Sequence, residues 1–429
     1  MTLSPLKQLS FKSYKAFGSE QHITLTPLTL IYGYNNSGKS AVVRLLPLLA
    51  SSFAANRLTT FNNSYLNYCS ESIRGASFKD LAFSNGNRME FGLKWENGHS
   101  IKFGLRKDGA EEEKLTFLEL SQLTTEKTQK AKYVECLSGK NGDLELDNDE
   151  NKKLKIESFD LSKMTSTSEP EINTFTNNLT SLSSSVSWLS SIRVHPSRNF
   201  EIGAGIPLGI KSNGQGTAET IWHLAESSSP SFSLINDWLI QTCNRKIDIE
   251  GFESKTIDHS RRRVRLDTVS VSPNKLKHQS LRIPVLDLGE GIAQALPVVT
   301  LIAMAANKEL GPFPIICIEQ PELHLHPKAI VDLANFIVTC VKDKSNIRLI
   351  IETHSESLLL ALQTALVEED LSSNDVSCYW IEPDEDNSSK IETVSFDSEG
   401  FMSDNWPIEV FGETLTQQKK LIRARRNDK

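Results

Sequence analysis

Gly33-Tyr34-Asn35-Asn36-Ser37-Gly38-Lys39-Ser40 is the stretch on which the reading of this chain turns. It fits the phosphate-binding pattern G-x-x-x-x-G-K-S at every position. Its flanks agree with it. Leu28-Thr29-Leu30-Ile31-Tyr32 predicts a buried strand, and Ala41-Val42-Val43-Arg44-Leu45-Leu46 can start a helix. Gly33 and Gly38 allow backbone torsions that other residues resist, so the N–H groups of Asn35, Asn36, Ser37, Gly38 and the residues up to Ala41 can turn inward around a phosphate. The helix N-terminus adds its partial positive charge. Lys39 is then placed for the β- and γ-phosphates, and the Ser40 hydroxyl for a magnesium ion. The competing reading is a glycine-bounded turn that happens to end in Lys-Ser.

The 429 residues allow two or three domains or one large divided one. At 38% hydrophobic and 24% charged, the composition is that of a globular protein. Every apolar run is interrupted before it reaches the length of a membrane span, so no membrane segment is expected. Met1-Thr2-Leu3-Ser4-Pro5 lacks the charged and apolar regions of a signal peptide. The six cysteines form no C-x-x-C pair, which points to reduced thiols and a cytoplasmic location. A net charge of −7 argues against a wholly basic nucleic-acid binder but leaves room for a local basic surface.

Four segments follow from a pass along the chain. Residues 1–56 carry short strands and the phosphate loop, with Pro47 expected to kink or end the helix after Lys39. Residues 57–186 read as an antiparallel β subdomain: Phe91–Trp95 and Ile101–Leu105 flank an Asn97-Gly98 turn, with further strand-like pieces at 115–120, 131–137, 143–147 and 153–158. The Ser/Thr/Asn-rich stretch 160–186 suggests a loop or a short helix. Residues 187–280 read as a helical lobe, with helices at Thr217–Glu226 and Leu234–Cys243 and a glycine-rich piece at 203–216. Residues 281–429 return to a βαβ rhythm: helix near 290–307, strand 314–318, helix 327–341, strand 347–351, helix 355–367. Val376–Ile381 and Ile391–Phe396 read as a closing hairpin whose turn holds Asp384-Glu385-Asp386, a solvated loop rather than a metal site. No sustained heptads predict a long coiled-coil arm.

Two strands in that last segment end in chemistry. Pro314–Ile318 runs into Glu319-Gln320-Pro321-Glu322. An acid at that strand end can reach a magnesium shell directly or through a water, which nominates Glu319. Gln320 follows, an amide that can position an attacking water but is a poor general base. The strand beginning near Ile347 ends in Thr353-His354-Ser355, where His354 can sense a γ-phosphate and the attacking water. Leu286–Gln294 carries Gly289 and Gly291 beside a helix entry, a second anion-binding geometry whose simpler reading is a helix-entry turn.

In this order the motifs resemble the ABC-type ATPases of the SMC and OLD group, broadly grouped as AAA-family ATPases. Tyr32–Ser40 looks like that group's Walker A, Leu288–Gln294 is similar to its signature, Glu319–Pro327 resembles its Walker B and D-loop, and Thr353-His354-Ser355 looks like its switch histidine. Trp406-Pro407 is similar to the ending of one branch. The resemblance implies an α/β fold: an ABC-type P-loop NTPase head with an antiparallel β subdomain and a helical lobe. It implies ATP and Mg2+ as ligands, and a homo-oligomer in which two heads sandwich ATP, the signature of one facing the Walker A of the other. His324 and His326 fall in the D-loop, although His-x-His can chelate zinc. Ala293 replaces a common hydroxyl residue and Gln320 the usual glutamate, so a slow, switch-like ATPase is expected. Gln215 is a candidate for the glutamine loop, a plain loop amide being the simpler reading.

The stretch after His354 reads as too short for the Toprim nuclease domain of OLD proteins. A separate effector, of the Toprim nuclease kind, and a phage trigger protein are therefore expected, by analogy with ATPase subunits of PARIS-type anti-phage defence. The other reading is a DNA-repair or chromosome-associated ATPase. There Arg261-Arg262-Arg263-Val264-Arg265 and the tail residues Lys419, Lys420, Arg423, Arg425, Arg426 and Lys429 would meet DNA phosphates, against the plainer reading of a solvated charged face. A stand-alone P-loop kinase is disfavoured by the signature-like segment and the late histidine.

Overall fold

A computed structural model describes residues 3–54, 64–109, 112–123, 128–135, 143–146, 149–155, 159, 170–203, 209–249, 255–258, 261–271, 281–342, 346–384, 386–397, 399–407 and 412–427. Expectations that fall on 156–158, 160–169, 204–208, Glu385 and Lys429 lie outside these residues.

The first segment feeds two different sheets. Strands β1 (Leu6–Lys12) and β2 (Gln21–Thr24) pair antiparallel; the chain then enters β3 (Leu28–Gly33), the phosphate loop and helix α1 (Lys39–Phe53). Beyond the short α2 (Phe78–Leu81) come β4 (Arg88–Trp95), β5 (Ser100–Arg106), β6 (Lys114–Leu123), β7 (Thr128–Glu135), β8 (Asp143–Leu146) and β9 (Asp149–Lys155). They join β1 and β2 in one antiparallel sheet, ordered β2-β1-β4-β5-β6-β7-β8-β9. The Asn97-Gly98 turn is present between β4 and β5. Gly98 has φ +84°, a conformation that costs glycine little, and donates its N–H to the Trp95 carbonyl at 3.1 Å.

Pro47 does not end α1. The helix runs through it to Phe53, because the turns on either side are held in the core by Leu45, Leu46, Leu48 and Leu49. That packing outweighs a proline penalty of about 3 kcal/mol. The Ser/Thr/Asn-rich stretch forms, in its described part, helix α3 (Pro170–Ser185), longer than the sequence suggests. Its hydroxyls bond back to their own helix, as Thr180 Oγ1 does to the Thr176 carbonyl at 2.7 Å, and Leu179 and Leu182 are buried where α3 packs on α1.

Strand β10 (Val186–Leu189) follows, then β11 (Phe200–Gly203), helices α4 (Thr217–Glu226) and α5 (Pro230–Cys243), and the short strands β12 (Arg245–Asp248), β13 (Lys255–Asp258), β14 (Arg261–Val264), β15 (Asp267–Ser270) and β16 (Ile283–Pro284). Residues 187–280 thus contain the two expected helices, accompanied by the small sheet β11-β14-β13 and by two strands of a second, β12-β15-β16, whose last strand follows the segment. The chain closes with α6 (Glu290–Ala306), β17 (Ile315–Glu319), α7 (Pro327–Val341), β18 (Arg348–Glu352), α8 (Glu356–Val367), the hairpin β19 (Val376–Pro383) and β20 (Ser389–Val394), and α9 (Glu413–Asn427).

The central sheet runs β10-β17-β18-β3-β19-β20, parallel except for β20. Parallel strands covered on both faces need continuous apolar sequence, and every residue of β3, β17 and β18 is buried. Alternate residues serve opposite faces. Leu28, Leu30, Ile316, Ile318, Leu349 and Ile351 join the core under α4 to α8, whereas Ile31, Ile315, Cys317 and Ile350 join the core shared by α1, α3 and the antiparallel sheet. Among the described residues no helix is long and apolar enough to cross a membrane.

Candidate nucleotide site

The phosphate loop sits at the carboxyl end of β3, where the loop must turn sharply without clashing with β19. A side chain at Gly33 would place its Cβ 2.3 Å from the Ile381 carbonyl oxygen, so glycine is required there. Gly38 (φ +101°) and Asn36 (φ +65°) take left-handed torsions, and Gly38 packs against the Phe17 ring. Ser37 is buried and its hydroxyl closes the loop on the Tyr34 carbonyl at 2.8 Å; Asn35 and Asn36 are exposed. Lys39 folds back over the loop and donates to the Gly33 carbonyl at 3.0 Å and to that of Tyr34. Burial lowers its pKa, against the opposing charge of Glu352. In the first turn of α1, Ala41 donates its N–H to the Gly38 carbonyl.

One face of α1 then reads two carboxylates. Ser40 Oγ donates to Glu352 Oε1 at 2.9 Å. Four residues on, Arg44 forms a bidentate pair with Glu319, Nε to Oε1 at 2.5 Å and Nη2 to Oε2 at 2.6 Å. Trp188 Nε1 adds a bond to Glu319 Oε1 at 3.1 Å, and Arg74 lies 3.8 Å from Oε2. The two acids are register partners on β17 and β18, both almost wholly buried. Burial, reinforced by the Glu319 charge and opposed by the Ser40 bond, raises the Glu352 pKa to about 7.

Glu352 was not among the residues that the sequence singles out. Its signal was available, an acid at the end of a buried strand that leads into Thr-His-Ser, but it stands inside the apolar run and reads as strand. Arg193 was also missed. Its buried guanidinium donates to the carbonyls of Glu319 (2.5 Å), Gln320 (3.1 Å) and Gln294 (3.4 Å), tying the acidic strand end to the first turns of α6. Gln320 takes φ +45°, and its N–H bonds the Glu352 carbonyl at 2.8 Å. Glu322 accepts from Thr353 Oγ1 at 2.7 Å and from the His354 N–H at 2.9 Å, which fixes the turn carrying His354. Solvent reaches the His354 ring, yet the protein packed around it and then the Lys39 charge hold its pKa below the ordinary value.

Gly289 and Gly291 are elsewhere. Gly291 lies against the turn after β17, where an added Cβ would meet the His324 carbonyl oxygen at 2.4 Å; Gly289 has φ +107° and open space around it. Among the described residues no hydrogen bond or ion pair joins Gly289–Gln294 to the phosphate loop of the same chain. His324 faces Glu290 at 3.9 Å, while His326 caps α7 by accepting from the Lys328 N–H. Gln215 closes its own turn, its side chain accepting from Lys211 Nζ at 3.3 Å.

The donor set around Ser40 is all hard oxygen, with Glu352 Oε2 buried and lacking a hydrogen-bond partner. That suits magnesium, which is held by hydroxyl, carboxylate, water and phosphate oxygens.

Residues 99–359 match the protein family described as AAA ATPase domain. The matched span takes in Gly289, Gly291, Glu319, Gln320 and His354 and begins after the phosphate loop. No curated protein matches the chain. Among solved structures, an SMC head bound to the C-winged helix domain of ScpA is similar at 11% identity, covering 92% of this chain and 98% of that one, with a TM-score of 0.49. An Smc head domain with an extended coiled coil, bound to the C-terminal domain of ScpA derived from Pyrococcus furiosus, gives 10%, 99%, 100% and 0.45. The SMC head domain from Thermotoga maritima gives 11%, 91%, 99% and 0.40.

Proposed function

The chain belongs to the AAA ATPase domain family and is an ATPase; from that premise we propose that it is a slow, nucleotide-held clamp, paired with a second copy across ATP, that controls a separate effector in anti-phage defence. The observation that carries the nucleotide chemistry is the alignment of Lys39 and Ser40 with the Glu319–Glu352 pair on one edge of the parallel sheet. In this reading Lys39 exchanges its two loop carbonyls for phosphate oxygens, and the loop N–H groups from Asn35 to Ala41 bind the rest. Ser40 and Glu319 would hold magnesium, Glu319 directly or through a water; when bound, the ion neutralises phosphate charge. Gln320 orients the attacking water without taking its proton, and His354 senses the γ-phosphate. Both roles fit slow turnover.

Among the described residues no hydrogen bond or ion pair ties Gly289 or Gly291 to the phosphate loop of the same chain, which suits a site completed by a partner copy. The defence role and the Toprim-type effector rest on the sequence resemblance. The test is turnover per chain against protein concentration, alongside mass photometry with ATP. A composite site predicts turnover that rises with concentration together with an ATP-dependent dimer; constant turnover by a monomer sinks it.

Direct DNA binding is the second reading, and α9 is the observation that favours it. Every described side chain from Thr416 to Ala424 is exposed, Lys419, Lys420 and Arg423 included. The arginine cluster is a weaker candidate, since Arg262, Arg263 and Arg265 face Glu226, Glu201 and Asp267. Duplex binding that weakens steeply with salt and is lost on removal of α9 would establish this reading.

A further inference from the structure

Helix α8 and the segment after β20 enclose a mostly apolar groove of about 510 Å3, away from every residue assigned to the nucleotide. Leu360 and Phe401 line it, each more than half exposed. Trp406 also lines it, but is buried and packed edge-on against Tyr32 at 5.4 Å and Trp380 at 5.3 Å. That wall is therefore fixed before anything binds, which lowers the ordering cost of an occupant. Two exposed acids, Glu356 and Asp404, face the same groove, and among the described residues neither is in an ion pair.

Helix α9 carries the complementary surface. Leu421 and Ile422 are more than half exposed, between Lys419 and Lys420 on one side and Arg423 on the other. Lys419, Ile422 and Arg423 share a helix face by their spacing, and among the described residues the three cations of this stretch form no ion pair. An aliphatic contact framed by cations thus matches an apolar groove framed by acids. The chain's own groove is out of reach of its own helix. Gly412 lines that groove, and Thr416 donates its N–H to the Gly412 carbonyl at 2.8 Å. The first turn of α9 is closed on the groove's rim, with no slack left to fold back, and the helix leads away for about 22 Å.

We infer that the groove between α8 and Phe401–Trp406 is the docking site for α9 of a second copy of this chain, with Leu421 and Ile422 against Leu360 and Phe401, and Lys419, Lys420 and Arg423 against Glu356 and Asp404. The contact needs no nucleotide and does not rest on the ATP-sandwich reading. One helix face in one groove is a small interface, of the size that gives transient pairing. It is read at crosslinking concentrations, whereas pairing in dilute mass photometry stays a property of ATP.

The test is photocrosslinking of the full chain without nucleotide. Benzoylphenylalanine replaces Ile422 in a copy of natural isotope content, which is mixed with an excess of a 15N-labelled copy that lacks the probe. Adducts are identified by mass spectrometry. The expected product joins α9 of the light copy to heavy peptides that contain Leu360 or Phe401. Reversing the helix charges, as Lys419→Glu, Lys420→Glu and Arg423→Glu together, should lower its yield by about five-fold or more. Glu356→Lys with Asp404→Lys in the heavy copy should then restore it, a rescue that a misfolded variant could not give. Adducts confined to light peptides would mean that the chain binds its own helix and would overturn the second copy as occupant. Adducts outside the groove, or a yield indifferent to charge reversal, would overturn the groove assignment. Crosslinking of α9 to added duplex DNA and never to a groove would overturn it in favour of the DNA reading. Failure here leaves the ATP-dependent dimer to its own test, since no nucleotide is present.

Discussion

At the scale of single residues, Lys39 and Glu319 are already partnered before any ligand arrives, whereas one buried oxygen of Glu352 is not. Lys39 is bonded to its own loop, so phosphate has to compete only with two neutral carbonyls. Lys39→Ala is expected to weaken nucleotide affinity by roughly 10- to 100-fold, since a charge-assisted contact is worth about 1.5–3 kcal/mol. Fluorescent-nucleotide titration measures it, and unchanged affinity would refute the loop assignment. Arg44 has a different role. Removing it takes the bidentate partner from the buried Glu319 carboxylate, so Arg44→Ala should destabilise the fold by about 3 kcal/mol in urea unfolding. Adding Glu319→Gln should restore most of that loss; a double variant as unstable as Arg44→Ala alone would show that the pair is not the cause.

At the scale of elements, α1 and the strand ends form the unit that matters. Ser40 and Arg44 meet Glu352 and Glu319 because positions four apart share a helix face while paired acids share a sheet edge. The start of α6 is a second unit. Because a Cβ at Gly291 would press on the His324 carbonyl, Gly291→Ala should lower stability by about 1–3 kcal/mol, the usual cost of overpacking. A calorimetric melt reads this directly. A bulky residue at 291 would therefore disturb the chain's own packing before it could report on a partner copy. Glu290→Ala, at an exposed position on the same turn, should leave the melting temperature near that of the wild type and is the better probe of a dimer contact.

At the scale of the whole molecule, the two sheets are joined through a buried arginine. Arg348, on β18, donates to the Leu6 carbonyl of β1 at 3.0 Å, to the Ile347 carbonyl at 2.8 Å and to the Glu96 carboxylate beyond β4. Burial lowers its pKa, against the charge of Glu96. Arg348→Met fills similar space but strands buried carbonyls, and about 2 kcal/mol of stability should be lost. If the arginine couples the sheets, hydrogen exchange should quicken in β1 as well as β18; exchange confined to β18 would argue that the contact is local.

The sequence by itself determined the elements and their chemistry. The strand–loop–helix around Lys39, the Asn97-Gly98 hairpin, the α7 boundaries and the strands ending at Glu319 and near His354 were legible because turn chemistry and hydrophobic period are local properties. It was silent where a residue's partner lies far along the chain. Glu352 looked like part of an apolar strand, Arg193 like an ordinary arginine after β10, and Arg44 like one position of a helix. Pro47 looked like a kink or an end of the helix, and 160–186 like a loop or a short helix, because the burial that overrides local propensity cannot be seen in a local window. Only the tertiary structure decided which acid Ser40 meets and which one Arg44 occupies. The reason is physical: β18 inserts between β17 and β3 after the chain has run some three hundred residues past the phosphate loop.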